Sequence, residues 1–187
     1  MRLILAGFPR LAGCHGLVMA IEQYLLKHQE EISRKWFDLL TSNYSPESVR
    51  LFKNESDQFA NPVGQTFLAA VDQILGEFLG ENRAETLTPM LDRIIRVRAV
   101  QNFSPSTALG FVFGLKTIAE EVLAEELAEG EVGMVDLRGF ERKVEGLGLL
   151  AFDIYVRCRE TLFDIKVAEI KNNTRRLLER AQLIIGE

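Results

Sequence analysis

A chain of 187 residues that is 47% hydrophobic and 26% charged carries enough apolar material for one well-buried core, and its composition is that of an ordinary globular protein. A net charge of −5, from 22 basic and 27 acidic residues, excludes the concentrated basic surface of a general nucleic-acid binder. Two widely separated cysteines, Cys14 and Cys158, give neither a disulfide framework nor a zinc cluster, which points to a reducing, cytoplasmic setting. No apolar run approaches the length of a membrane-spanning helix, so no membrane insertion is expected.

Residues 1–18 stand apart. They are apolar, with Arg2 near the start, and Leu11-Ala12-Gly13-Cys14 spells a lipoprotein cleavage box. Pro9 and Arg10 leave only Leu3–Phe8 as an uninterrupted apolar core, shorter than a signal peptide needs. The expectation is an upstream extension, with Met19 as the natural start.

Residues 19–130 read as one helical domain. Ile21, Leu25, Ile32, Trp36 and Leu39 stripe a single helix over about Ala20–Ser42. Four prolines then each follow a capping residue: Ser45-Pro46, Asn61-Pro62, Thr88-Pro89 and Ser104-Pro105. The residue before proline is driven into the extended region an N-cap adopts, and proline is tolerated at the first helical position. Four helix starts follow. The first opens a short helix holding Val49, Leu51 and Phe52; the second opens a helix striped by Val63, Phe67, Val71, Ile74 and Phe78 and ending near Gly80. The third carries Met90, Leu91, Ile94, Ile95 and Val97. The fourth carries Ala108, Phe111, Leu115, Ile118 and Val122, with an acidic outer face. No alternating pattern predicts strands.

Gly130–Gly133 is the clearest internal break, and residues 131–187 form a long final helix, capped by Asp136 and running from Leu137 to about Ile185. Gly139, Gly146 and Gly148 predict a kink in its first half or the close approach of a neighbouring helix. In the second half Phe163, Ile170, Leu177 and Ile184 recur every seven residues, with Val167, Thr174 and Ala181 between them. This register predicts either a dimer seam or an amphipathic face packed on the chain's own bundle.

Few residues suggest chemistry. His28 has no second histidine in the body to join it in a metal site, and no haem or other cofactor is expected. Arg98 falls among Leu91, Ile94 and Ile95, with Gln101 beside Ile94 and Val97; an arginine on an apolar face needs a carboxylate or an anionic ligand. Asp57, flanked by Phe52 and Phe59, is the candidate partner. Asp57, Arg98 and Gln101 are therefore the candidate buried polar or ligand site. Cys158, between Arg157 and Arg159, is a candidate for a depressed thiol pKa or for simple packing. No phosphate loop, nucleophile elbow, HExxH or CxxC occurs, so no catalytic residue is assigned.

Two segments carry a family resemblance. Phe52 with Glu55-Ser-Asp57-Gln-Phe59-Ala-Asn61-Pro62-Val63-Gly64, and Ile95-Arg96-Val97-Arg98-Ala99-Val100-Gln101-Asn102-Phe103-Ser104-Pro105-Ser106, resemble the RsbRD N-terminal domain family. Its members are co-antagonists of the RsbT switch kinase in bacterial stress signalling. The resemblance covers roughly Ile21 to Leu127. It implies an all-α, globin-related helical bundle with a long C-terminal helix, without haem, that dimerises as a sensory domain. Full-length relatives continue into a STAS domain about where this sequence stops, so a stand-alone form lacking that output module is expected. The function expected is that of a homodimeric regulatory module acting on an unidentified partner protein. The alternative is a carrier for a lipid or tetrapyrrole in a cavity among the phenylalanines.

Overall fold

The computed structural model describes residues 21–55, 57 and 59–181. Met1–Val18, Met19 and Ile184 lie outside the described residues. Nine helices are found among those described, and no strand. They are α1 (Ile21–Lys27), α2 (Gln29–Thr41), α3 (Pro46–Asn54), α4 (Pro62–Leu79) and α5 (Ala84–Val100), then α6 (Pro105–Phe113), α7 (Leu115–Val122), α8 (Ala124–Glu129) and α9 (Met134–Arg180). The protein is an all-α bundle with a long C-terminal helix.

Three of the four proline starts form as expected. Ser45 and Ser104 are extended, and their hydroxyls accept from the amides of Ser48 and Thr107 at 3.2 and 3.3 Å. Asn61 caps α4, its Oδ1 accepting from Gly64 N at 2.9 Å. Thr88-Pro89 is a correction: α5 begins at Ala84, and Pro89 lies inside it. The Thr88 hydroxyl instead donates back to Ala84 O at 2.7 Å. Proline is tolerated there because the carbonyl its missing amide would have served belongs to exposed Glu85, which water can satisfy. The turn before α5 is set by Asn82, in the left-handed region at φ 53°, and by Glu77, whose Oε1 accepts from Arg83 N and Nε, each at 3.1 Å.

Other boundaries also move. The helix expected over Ala20–Ser42 breaks at His28 (φ −103°, ψ 16°) into α1 and α2. The helix expected from Ala108 to Val122 is divided at Gly114, where a Cβ would collide with Leu39 of α2. The glycine lets α2 and α6 touch. Gly133, not Asp136, is the N-cap of α9, and Asp136 lies in the first turn, where its charge suits the helix dipole. Gly139 and Gly148 do not end the helix; at Gly148 a Cβ would strike the Phe113 ring, so the close approach of a neighbour is the reading that holds.

The core is shared by α2, α4, α5, α6 and α9, with α5 lying against both α4 and α9. Trp36, Phe67, Ile74, Leu91, Ile94 and Val144 are wholly enclosed, and burying each such side chain is worth about 1.5–3 kcal/mol. Trp36 Nε1 donates to Phe111 O at 2.7 Å, satisfying the one polar atom its burial would orphan. Several of the buried phenylalanines pack on aromatic neighbours: Phe52 meets Phe67 and Tyr44 edge-on, and Phe78 meets Phe140.

Candidate functional site

The site is built where α5 turns into α6. Asn102 adopts φ 61°, Phe103 N donates to Arg98 O at 3.3 Å, and Ser104-Pro105 restarts the chain as α6. Asparagine tolerates this left-handed position better than most residues.

Beneath that corner lies Arg98, fully buried. Nη1 donates to Leu40 O at 2.6 Å and Nη2 to Thr107 O at 2.7 Å, while Nε finds no partner among the described residues. Leu40 is in the last turn of α2, so its carbonyl is one of the four that a helix leaves without an amide. The guanidinium caps that helix end, where the dipole is negative. Three rings enclose it: Cζ lies 4.7 Å from the centroid of Phe103, 5.6 Å from Tyr44 and 5.9 Å from Phe111. Carbonyl oxygens and π faces thus hold a buried charge without a carboxylate. Burial still pushes the Arg98 pKa down, with Tyr44 opposing the shift.

The expected partnership with Asp57 does not form. Asp57 is exposed on the α3–α4 loop, and its Oδ1 accepts from Phe59 N at 2.9 Å in a local turn. Short aspartates satisfy themselves this way in turns, which removes the need for a distant cation. Phe59 is itself 95% exposed. Gln101 does join the site: its Oε1 accepts from Tyr44 OH at 2.6 Å at the solvent edge. Burial raises the Tyr44 pKa, and Arg98 acts against that rise. Sequence reasoning missed Tyr44, which no helical stripe includes.

It also missed the ties from α9. Tyr155 OH donates to Phe103 O at 2.6 Å, and Arg159 Nη1 donates to Ala99 O at 3.1 Å and Asn102 Oδ1 at 2.9 Å. One corner therefore fastens α2, α5, α6 and α9 together. Tyr155 is the last buried residue of α9; from Glu160 to Arg180 every residue is exposed or partly so. The helix leaves the bundle where these ties stop. Phe163, Ile170 and Leu177 are 66, 65 and 65% exposed; Thr174 and Ala181 are exposed and Val167 half-buried. The seam residues described are thus not packed on the chain's own bundle.

Residues 30–169 match the model of the RsbT co-antagonist protein RsbRD N-terminal domain. The chain belongs to this family. The match runs into α9, well past the Leu127 at which the motif resemblance ends. A protein of Archaeoglobus fulgidus, described only as uncharacterized, is 27% identical over 142 residues, covering 75% of this chain and 83% of its own length. No solved structure matches the chain. RsbRD N-terminal domains are regulatory. Both motif segments of this RsbRD domain serve the fold: the Asn61–Gly64 stretch locks α3 to α4, and the Arg98–Ser104 stretch forms the corner.

Two isolated groups lie away from the corner. His28 Nε2 is 3.2 Å from Glu126 Oε1 and ties the α1–α2 break to α8. The Glu126 carboxyl is held below its ordinary value by its own backbone first and by His28 as a lesser cause. Cys158 is half-buried, with Sγ 3.9 Å from Asp92 Oδ1. Burial pushes its thiol up, Asp92 adds to this, and Arg96 and Arg157 only partly oppose it, contrary to the depressed value expected of a sensor. In a Cys14→Ser background, Cys158 is therefore expected to alkylate more slowly with iodoacetamide at pH 8 than the same chain unfolded in urea. Equal rates in the two states would show that burial does not hold the thiol protonated. No group of three or more His, Cys, Asp or Glu side chains among the described residues is gathered as for a metal ion, and no helix among them is long and apolar enough to cross a membrane.

Proposed function

We propose that this chain is a homodimeric sensory module of the cytoplasm that acts by contact with a regulatory protein and catalyses no reaction. The observation that carries the reading is the way α9 is divided. Its first half is buried on the bundle through Leu137, Phe140, Val144 and Ala151, and its second half leaves the bundle immediately after the ties to the Arg98 corner. A change in how α2, α5 and α6 pack would reach the projecting segment through Tyr155 and Arg159, because those side chains bond to backbone atoms of the corner itself. Switching of this kind needs an element with two discrete arrangements, and in this proposal that element is the projecting half of α9 beyond the ties at Tyr155 and Arg159.

Membership in a family of regulatory domains supports the same reading, as does the apolar face the projecting helix offers to another chain. The measurement is light scattering of the full chain over a wide concentration range. The expected result is twice the 21.1 kDa chain mass at the higher concentrations. A monomer at every concentration overturns the dimeric module.

A further inference from the structure

The projecting half of α9 arranges its charges around an apolar face. At 3.6 residues per turn, Phe163, Val167, Ile170, Thr174 and Leu177 lie on one side of the helix, with Phe163, Ile170 and Leu177 exposed there. Lys166 and Arg180 border this face on one flank and Lys171 on the other; Arg175 follows Lys171 and is bonded to Glu179 at 2.7 Å. The carboxylates of Glu169 and Glu179 lie farther round, toward the opposite side, while Glu160 and Asp164 come before Lys166, nearer the bundle. From Lys166 to Arg180 there are five basic and two acidic residues, in a chain whose net charge is −5.

An exposed helix with an apolar centre and cations on both flanks complements the surface of an anionic bilayer. Its apolar side chains enter the boundary of the acyl chains, while the lysine and arginine stems lie along that boundary and carry their charges to the phosphates. An anionic leaflet attracts every cation within reach of it. A second helix is a poorer match. Thr174 and Ala181 leave shallow places in the face that a rigid partner would have to fill, whereas fluid acyl chains close over them. In a pair with a second copy, Lys166 would meet the partner's Lys171 if parallel, and Arg159 the partner's Arg180 if antiparallel. Each repulsion offsets the attraction that Asp164 supplies in that orientation. The bundle leaves the face accessible, because it lies about a third of a turn round the helix from Val144 and Ala151, through which α9 packs.

From this complementarity we infer that Phe163–Arg180 lies in the headgroup region of an anionic lipid surface, with Phe163, Ile170 and Leu177 toward the acyl chains. At 1.5 Å per residue the seated segment is about 27 Å long. It rests along the surface and does not cross it; no helix among the described residues is long and apolar enough to do so. The inference goes beyond the proposed dimer and does not depend on it. One face cannot meet a second copy and a bilayer at the same time, so lipid competes with any self-association through this segment.

Sedimentation of the full chain with sucrose-loaded vesicles tests this. At low salt, vesicles of mixed phosphatidylglycerol and phosphatidylcholine are expected to bind the chain about tenfold or more tightly than phosphatidylcholine alone, and the difference should shrink as salt is added. Lys166→Gln with Lys171→Gln should weaken the binding about tenfold, and Ile170→Ser with Leu177→Ser should weaken it by about as much. All four side chains are exposed, so the bundle keeps its fold in both variants. Leu177→Trp should emit further to the blue on the anionic vesicles, over the constant contribution of buried Trp36. Equal binding to both vesicles, or none to the anionic ones even where a protein is found on this face, overturns the inference. Binding that survives Ile170→Ser with Leu177→Ser overturns it as well, because it then comes from charge alone or from another part of the chain, such as the apolar residues 1–18. A dimer that binds no lipid overturns the lipid surface and leaves the dimer standing, and a lipid-binding chain that is monomeric at every concentration does the reverse.

Discussion

Arg98→Ala is expected to destabilise the bundle by about 3–5 kcal/mol, the range for a large buried side chain lost together with its hydrogen bonds. Three losses add. The guanidinium's bonds to Leu40 O and Thr107 O disappear, a cavity opens between Phe103, Tyr44 and Phe111, and the C-terminus of α2 loses its positive cap. At about 2–4 °C per kcal/mol for a chain of this size, the midpoint of thermal unfolding should fall by about 6–20 °C. Arg98→Met separates the causes. It refills most of the volume and removes a buried charge whose desolvation is itself unfavourable, so it should cost less than the alanine variant, about 1–3 kcal/mol, chiefly for the Leu40 carbonyl left without a donor at the end of α2. If methionine is as stable as arginine, the two carbonyl bonds contribute nothing net and Arg98 is only a space-filler. Hydrogen exchange in the folded variants tests the coupling separately: loosening the corner should speed exchange of α9 amides around Tyr155–Arg159, while those near Phe140 stay protected.

How far these features could be read in the sequence depends on the range over which each is decided. Ser45, Asn61 and Ser104 act on amides three residues ahead, and their caps are therefore visible in the chain. Thr88-Pro89 has the same local appearance, yet Leu87 is buried and draws the preceding turn into α5, so tertiary packing overrides the proline signal. Arg98 shows the same contrast. The helical wheel places it on the apolar face, and it is buried there. Its partners, however, are backbone carbonyls and rings from α2, the α2–α3 turn and α6, which carry no signature of their own in the sequence; the expectation of a carboxylate followed from charge alone. The seven-residue spacing of Phe163, Ile170 and Leu177 is visible in the sequence, and the structure leaves all three exposed on the projecting half of α9; that they form a seam is part of the proposal.

Asn61 and Gly64 should behave as one unit. The Asn61 side chain is buried, its Nδ2 lying 3.1 Å from Leu51 O, 3.2 Å from Phe52 O and 2.9 Å from Glu55 O, while Oδ1 accepts from Gly64 N. It closes the C-terminal end of α3 and opens α4 with the same amide. Asn61→Ala is expected to cost about 2–3 kcal/mol, from the lost N-cap and the loosened end of α3, although Leu51 O keeps its bond from Glu55 N and Glu55 O its bond from Gln65 Nε2. Asn61→Asp keeps the acceptor for Gly64 N but turns a carboxylate toward three carbonyl oxygens. Its deficit at neutral pH should shrink on acidification, because only the protonated carboxyl can donate. Gly64→Ala fails for a different reason: the new Cβ would overlap the Asn61 amide, which its hydrogen bonds to the end of α3 and to Gly64 N prevent from moving aside. The two single changes therefore injure the same contact. In the double variant the methyl introduced by Gly64→Ala enters the space the amide has left, so the combined loss should fall well short of the sum. Strict additivity in urea titrations of the four proteins would mean that Gly64 is required for some reason other than room for Asn61.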